Sequence, residues 1–146
     1  MRRESRAFIA TIVVVVFAFF NVTDEVHSAE ADEVVSVAQN VMSAISNKDF
    51  ETVWNETSNW YKNKMGVKKA PYVAGWALSR QPFAPLKKSD IIDVQFSTSD
   101  PSGYVGKIYT ITFLNEYENA KTYERVVLTE EDGKFRLSNF MGAPAQ

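Results

Sequence analysis

The residue types that most often perform chemistry are scarce in this chain. Cysteine does not occur, and His27 is the single histidine. Disulfides, thiolate metal sites, a cysteine nucleophile and a cysteine-linked lipid anchor are therefore excluded. A serine–histidine–aspartate triad would need His27, which lies in a segment with the features of a removable signal peptide. Carboxylate chemistry is what remains, and we assign no catalytic residue, metal ligand or cofactor.

Glu124 is the strongest candidate among the carboxylates. It alternates with Val126 and Leu128 in a segment with a strand pattern, so all three side chains should face the same core. An inward glutamate is most simply neutralised by an arginine, and Arg80 and Arg136 could both reach it. We favour this structural ion pair over a ligand-binding carboxylate, and a ligand-binding carboxylate over a catalytic one.

Aromatic side chains gather in the part of the chain with helical periodicity. For these residues we favour core packing, with stacking on a sugar or an apolar ligand as the alternative. They are Trp54, Trp60, Tyr61, Tyr72 and Trp76. Trp60 and Tyr61 are adjacent on a helix and cannot face the same way, so one of them should be exposed or line a cleft. The candidate ligand-binding residues are therefore Glu124, Arg80, Arg136, Trp60 and Tyr61.

The first thirty residues resemble a secretory signal peptide. Three arginines within residues 1–6 precede the uncharged apolar run Ala7–Phe20, which is shorter than the ~20 residues that cross a bilayer as a helix. Cleavage could follow Ala29 or Ala31, where Ala29-Glu30-Ala31 matches the small-x-small rule. We predict a signal peptide over residues 1–29 and one domain over 30–146, exported to the periplasm or secreted. The alternative is an uncleaved segment that tethers the protein to the membrane.

Apolar spacing predicts three helices before any strand. The first begins at Asp32 and ends near Asn47, with an apolar stripe at three- and four-residue spacing. Asp49 can cap a second helix, and Ser58 can cap its continuation to Gly66. A third helix should begin at Pro71 and end near Gln81-Pro82.

The second half of the chain predicts a four-stranded antiparallel meander. The expected strands are Ile91–Thr98, Tyr104–Asn115, Thr122–Thr129 and Lys134–Phe140. Asp100-Pro101-Ser102-Gly103 fits a type I turn, and Asp132-Gly133 is a strong hairpin signal. Helices followed by strands indicate an α+β fold with the helices on one sheet face. The middle two strands are apolar on more than one face and should be central.

Several motifs resemble one protein family in their order and spacing. They are Asp49-Phe50 with Trp54, Trp76 with Arg80-Gln81-Pro82-Phe83, Glu124-Arg125-Val126-Val127-Leu128, and Asp132-Gly133-Lys134-Phe135-Arg136-Leu137 with Phe140. Together they resemble the bacterial exported family named domain of unknown function 4019. The resemblance implies an exported α+β domain with no assigned activity. The layout is also similar, by analogy of architecture, to the nuclear-transport-factor-2-like cone.

The function that these observations favour is non-enzymatic binding. The partner would be a small ligand between helices and sheet, or a protein of the bacterial envelope. A net charge of −2 does not favour nucleic acid, and membrane contact is expected only through an uncleaved N-terminal segment. One alternative is a carboxylate-based hydrolase or isomerase in a helix–sheet cavity. Another is a structural or assembly role through a sheet edge.

Overall fold

A computed structural model describes residues 29–146 of the chain. Internal contacts divide the chain into two units, residues 1–33 and 34–146. In the first unit the described residues, 29–33, are helical. The second unit carries the remaining helical residues and the sheet. Residues 1–28 of the expected signal peptide, including His27, lie outside the described residues.

Four helices occupy the first part of the described chain. α1 covers residues 29–46, α2 is Phe50–Glu56, α3 is Asn59–Met65 and α4 is Lys69–Arg80. Three were expected, because the segment from Asp49 to Gly66 was treated as one helix with a continuation. Among residues 29–146, no helix combines the length and apolar character needed to cross a bilayer.

The separation of α2 from α3 is caused by a contact with the sheet. Thr57 adopts an extended conformation and forms an isolated parallel bridge with Leu137. The backbone N–H of Ser58 donates to the Leu137 carbonyl at 2.8 Å. The Ser58 hydroxyl then accepts from the N–H of Tyr61 at 3.2 Å and starts α3. The capping role predicted for Ser58 is confirmed, but local sequence held no sign of the strand contact.

The other predicted helix ends are largely confirmed. The Asp49 carboxylate accepts from the N–H of Thr52 and caps α2, while Gly66 ends α3 in the left-handed conformation that favours glycine. α4 begins at Lys69 rather than at Pro71. Pro71 still lies in the first turn, where a missing N–H costs no helical hydrogen bond.

The four strands form one antiparallel sheet in the order β1-β2-β3-β4, and the predicted meander is confirmed. Their bounds are β1 Leu86–Ser99, β2 Val105–Tyr117, β3 Lys121–Glu131 and β4 Lys134–Pro144. Gly103 donates its N–H to the Asp100 carbonyl, as a type I turn requires. Asp132 and Gly133 both have positive φ and join Glu131 to Lys134 in a two-residue hairpin.

β1 departs from the simple alternation of strand residues, which would place Ile92 on the same face as Val94 and Phe96. A register shift between Ile91 and Asp93 leaves Ile92 without a partner, so it lies with Asp93 on the outer face. Ile91 takes the core position opposite Phe113 instead. A bulge of this kind has no signature in the apolar pattern alone.

β4 is longer than expected because its C-terminal half pairs with β3. Met141, Gly142 and Ala143 lie opposite Arg125, Glu124 and Tyr123. Glycine and alanine are poor strand formers, so the composition of residues 141–144 predicted an earlier end. The ladder with a central strand overrides that weak local preference.

The main core lies between the apolar stripe of α1 and one face of the sheet. The stripe residues Val34, Ala38, Val41, Met42 and Ile45 are buried, as predicted. They belong to one cluster with sheet residues Tyr109, Ile111, Phe113, Val126, Leu128, Phe135 and Leu137. The outer face is also covered at one end, where Trp60 packs on Tyr104, Ile108 and Val127.

Glu131, at the tip of the β3–β4 hairpin, ties α3 to the sheet. Its carboxylate accepts from the Ser58 hydroxyl at 2.7 Å and from the backbone N–H groups of Asn59 and Trp60 at 3.2 Å. Partial burial acts to raise the pKa of Glu131, but these hydrogen bonds outweigh it and hold the pKa below its ordinary value.

Replacement of Glu131 by glutamine should make the stability of the protein less dependent on acid pH. A carboxylate with a lowered folded-state pKa stabilises the fold above its unfolded-state pKa, and this contribution is lost as the pH falls through the folded-state pKa. We expect Glu131→Gln to cost about 1 kcal/mol at pH 7, as for a lost helix cap, and less than this at pH 3. Urea unfolding at both pH values tests this. An equal cost at both values would contradict the role of the charge.

Candidate functional site

A fully buried polar network surrounds Glu124. Its Oε1 accepts from Arg80 Nη1 at 2.5 Å, and its Oε2 accepts from the Tyr117 hydroxyl at 2.6 Å and from the Asn115 side-chain amide. Arg80 Nη2 also donates to the Tyr117 hydroxyl oxygen at 2.5 Å. Glu124 is 1% exposed and Arg80 is 4% exposed. Both charges are therefore removed from water and compensated within one closed ring of hydrogen bonds.

The outer partners of the network are also satisfied. The Asn115 carbonyl oxygen accepts from the Ser89 hydroxyl at 2.5 Å, and its amide nitrogen lies 3.4 Å from the Met42 sulfur. Burial, followed by the hydrogen bond to Glu124, raises the pKa of the Tyr117 phenol well above its ordinary value. Tyr117 therefore stays protonated and remains a donor to the carboxylate. A network with every member satisfied fixes one arrangement of α1, α4 and the sheet.

Arg80 is the residue that joins α4 to this network. It is the last residue of the helix, and its guanidinium lies over the Phe83 ring at 3.9 Å and near the Tyr117 and Phe140 rings at 5.4 and 5.9 Å. The loop after α4 is held by Asn119, which bonds the Pro82 carbonyl and the Ala84 N–H. Aromatic rings thus hold the flat guanidinium in place while its edge meets the carboxylate.

The sequence predicted an ion pair between Glu124 and either Arg80 or Arg136. This prediction is confirmed for Arg80 and wrong for Arg136. Arg80 forms the buried ion pair. Arg136 does not, because it lies opposite Thr129 on the other face of the sheet from Glu124. Its partner is Glu56 at 3.6 Å, a half-exposed pair between α2 and β4.

A catalytic role for Glu124 needs an amide or acid within hydrogen-bond reach, and Asn115 meets that requirement. Access is the second requirement, and Glu124 does not meet it. Its side chain is fully buried and does not line the three hollows described below, in the part of the chain that the structure covers. Its oxygens are already occupied by three protein donors. The geometry is that of a structural pair rather than an open catalytic carboxylate.

A cleft of about 470 Å³ lies between α4 and β4, directly beside this network. We call it the α4–β4 cleft. Its lining residues are Thr57, Tyr61, Pro71, Tyr72, Gly75, Trp76, Ser79, Arg80, Leu137, Ser138, Asn139 and Phe140. Aromatic rings and a few polar groups converge on one space, which is the usual composition of a small-ligand site.

The aromatic wall of the cleft is held by ring contacts. Trp76 packs on Phe140 with ring centroids 5.1 Å apart and on Tyr72 at 6.3 Å. The Tyr72 hydroxyl lies 2.9 Å from the Thr57 hydroxyl, and Trp54 packs edge-on against Tyr72 at 5.2 Å. Burial raises the pKa of Tyr72 above its ordinary value, so the phenol stays neutral. The wall is therefore apolar and fixed.

Gly75 lies on the helical wall of the cleft, in the middle of α4. A Cβ built at this residue would meet no atom within 4 Å. Close packing within the domain therefore does not require glycine here, although glycine costs about 1 kcal/mol relative to alanine inside a helix. The missing side chain leaves open space inside the cleft.

The two adjacent aromatic residues of α3 face different ways, as expected. Trp60 packs edge-on against Tyr104 with ring centroids 5.2 Å apart, on the outer face of the sheet. Tyr61 lines the α4–β4 cleft. Of the five candidate ligand residues, only Arg80 and Tyr61 therefore reach this cleft.

Sequence reasoning missed several residues of the network and the cleft. Asn115 and Tyr117 follow Phe113 at a spacing of two, so strand alternation places them on the core face with Glu124. That signal was available in the sequence. A mid-helix glycine at position 75 was also a visible irregularity. Ser138 and Asn139 line the cleft because β4 lies at the edge of the sheet. No local pattern in the sequence indicates that position.

Two further hollows occur in the described residues. One of about 770 Å³ lies where the end of α1 meets Phe83–Leu86 and β1. The other, of about 470 Å³, lies on the outer sheet face and includes Ile92, Tyr123 and Met141, each more than 40% exposed. The first is lined by polar and apolar side chains with two phenylalanines, and the second has one aromatic ring, whereas four aromatic residues line the α4–β4 cleft.

Fold and site together define a class: an α+β domain with helices against an antiparallel sheet, a buried arginine–glutamate network and an adjoining aromatic cleft. A family model described as "Protein of unknown function (DUF4019)" matches residues 37–140 of this chain. That match covers well over half of the sequence, and the chain belongs to this family. No curated protein matches the chain.

Proposed function

We propose that this protein is a non-enzymatic binding domain and that its ligand occupies the α4–β4 cleft. The observation that carries the proposal is the cleft itself. It exceeds the ~300 Å³ typical of the smallest ligand sites, has fixed aromatic walls, and includes hydroxyl and amide groups from Thr57, Ser138 and Asn139. The adjoining network supports preorganisation, because it holds Arg80 at the end of α4 in one position.

The place of action that we propose is the bacterial envelope. An arginine-rich start followed by the uncharged run Ala7–Phe20 supports export to the periplasm or secretion. The absence of cysteine is compatible with an oxidising compartment. The ligand is then a small molecule or a segment of an envelope protein.

We also propose that the domain has the cone-like form of nuclear-transport-factor-2-like proteins. Register shifts in β1 and in β4 support a strongly bent sheet, because bulges bend the strands that contain them. A bent sheet with helices on its concave face would place the α4–β4 cleft at the edge of the cone.

A leucine at position 75 should close the cleft without disturbing the fold. Its side chain would enter the open space beside Trp76, and the helix gains propensity, so Tm should stay the same or rise. With a defined library of amide, carboxylate and aromatic fragments, we expect NMR shifts in the wild-type protein at Tyr72, Trp76 and Ser138–Phe140. Gly75→Leu should abolish them.

Ala77→Leu is the matched control, because residue 77 is exposed on α4 and lies outside the cleft. It adds a side chain of the same size, and fragment binding should survive. Fragment shifts that persist in Gly75→Leu, or that cluster at Ile92, Tyr123 and Met141 instead, would overturn the proposal.

A further inference from the structure

We infer that the ligand of the α4–β4 cleft is an extended peptide segment of another protein, which adds to the free edge of β4 as a fifth strand. This inference rests on the proposed function, since it names the ligand class of the same cleft. The segment is uncharged and carries alternate apolar side chains that face Trp76 and Phe140. Four arguments support it.

The first argument is that the backbone edge of β4 lines the cleft. Four consecutive residues, Leu137–Phe140, contribute to the lining. Consecutive strand residues point to opposite sheet faces, so a single face could supply only every second one. The feature that all four share is their place on the strand at the outer edge of the sheet.

The second argument concerns which backbone groups are free. The Leu137 carbonyl faces outward and accepts from Ser58. Beyond the register shift after Leu137, the ladder with β3 places the backbone groups of Phe140 and Gly142 outward. The Phe140 N–H donates to the Asn139 side chain at 2.8 Å. By this alternation the Phe140 carbonyl and both Gly142 groups face away from β3 and are open to another strand. Phe140 lines the cleft, and Gly142 lies two residues beyond the lining.

The third argument is that only one of the two edge strands carries features that prevent it from pairing with another strand. The β1 edge carries Lys87, Lys88 and Asp90, and three register shifts interrupt its pairing with β2. Charges and bulges are the usual devices that prevent strands from pairing at an edge. By contrast, residues 137–143 of β4 contain no charged side chain. The chain already places an extended residue there, since Thr57 bridges Leu137 in parallel.

The fourth argument is the open space at Gly75, on the wall opposite β4. A strand added to β4 would run alongside α4, and a side chain at position 75 would occupy part of its path. Glycine allows a foreign backbone to approach a helix closely. Close approach of a peptide backbone would therefore explain why glycine stands at position 75, where it lowers helix propensity and is not required by packing within the domain.

The dimensions favour a single strand over a second copy of this chain. Residues 140–142 of β4 extend about 10 Å, enough to pair with two or three peptide residues. The β4 edge of a second copy is flanked by its own α4, and its β1 edge carries the lysines and aspartate described above. Neither edge fits a cleft of about 470 Å³. A lone peptide strand meets no such obstacle.

The test uses the protein as its own cells produce it and a display library of random linear nine-residue peptides. Binders are selected on the wild-type protein and removed if they bind Gly75→Leu. The best peptide is then resynthesised with one N-methyl group at a time. Strand addition predicts that methylation weakens binding at least tenfold at every second residue of a short segment and has little effect between them, because only alternate N–H groups face β4.

Hydrogen exchange at Gly142 gives an independent readout. The peptide should slow exchange of the Gly142 amide, which is free in the domain alone, and the non-binding N-methyl peptide should not. Slow Gly142 exchange without peptide, with a dimer in sedimentation, would overturn the inference in favour of a second copy.

The outcomes separate this inference from the proposed function. If Gly75→Leu abolishes binding but N-methylation has no alternating effect, or if no peptide is recovered while fragments still bind the cleft, strand addition is wrong and the proposed function stands. If fragments bind Gly75→Leu as well as wild type, and every selected peptide is removed because it also binds Gly75→Leu, the proposed function itself is wrong.

Discussion

Glu124→Gln should lower the free energy of unfolding by about 3–5 kcal/mol, with a fall in Tm of roughly 10–20 °C. The substitution leaves the Arg80 charge buried and uncompensated, and it presents an amide N–H₂ group to donors that need an acceptor. Arg80→Met should cost a similar amount, because it leaves a buried carboxylate without its cation. Urea unfolding of each variant measures the effect.

The control for this pair is the surface ion pair between Lys69 and Glu51, at 2.5 Å, whose side chains are more than half exposed. Glu51→Gln should cost less than about 1 kcal/mol, although the two pairs have the same separation. In addition, the double variant Arg80→Met with Glu124→Gln should lose less than the sum of the two single losses, because it leaves no buried charge. An unchanged Tm in both Glu124→Gln and Arg80→Met would show that the pair has no structural role.

Phe113→Ala should lower the free energy of unfolding by about 3–5 kcal/mol, because it leaves a cavity in the centre of the core. Phe113 is 2% exposed and lies on β2 between Ile91 of β1 and Glu124 of β3. Surrounding atoms on both neighbouring strands are held by the ladder, so they can collapse into the space only in part.

The matched substitution is Phe96→Ala in β1. Phe96 is 56% exposed and contacts the Tyr109 ring with centroids 5.0 Å apart. Its loss should cost about 1 kcal/mol, the worth of one aromatic pair with little burial. Equal costs for the two phenylalanines in urea unfolding would mean that the core is not where the packing places it.

Much of the fold could be predicted because its signals are local. Asp132-Gly133 requires two residues with positive φ, the stripe of α1 repeats at helical spacing, and Ser58 is a capping residue in front of an apolar turn. Each signal depends on residues within a few positions of one another. Strand and helix identities therefore follow from the sequence, while the register shifts in β1 and β4 do not.

The candidate site was less predictable because it depends on which segments meet. Even so, the sequence alone could have excluded Arg136 as a partner of Glu124. The two-residue hairpin pairs Glu131 with Lys134, which places Arg136 opposite Thr129 and on the other face from Glu124. The contact of Thr57 and Ser58 with Leu137 joins positions about eighty residues apart. No local pattern encodes such a contact, and the α4–β4 cleft depends on it.

The meander order has a consequence for the way in which the chain becomes ordered. Each strand hydrogen-bonds to its sequence neighbour, so pairing within the sheet requires only short loops to close. The helices precede every strand in the chain, and the apolar stripe of α1 shares its core cluster with residues of β2, β3 and β4. A polypeptide that emerges from its N-terminal end therefore exposes that stripe until the last hairpin has formed, and protection by a chaperone during synthesis is needed most at that stage.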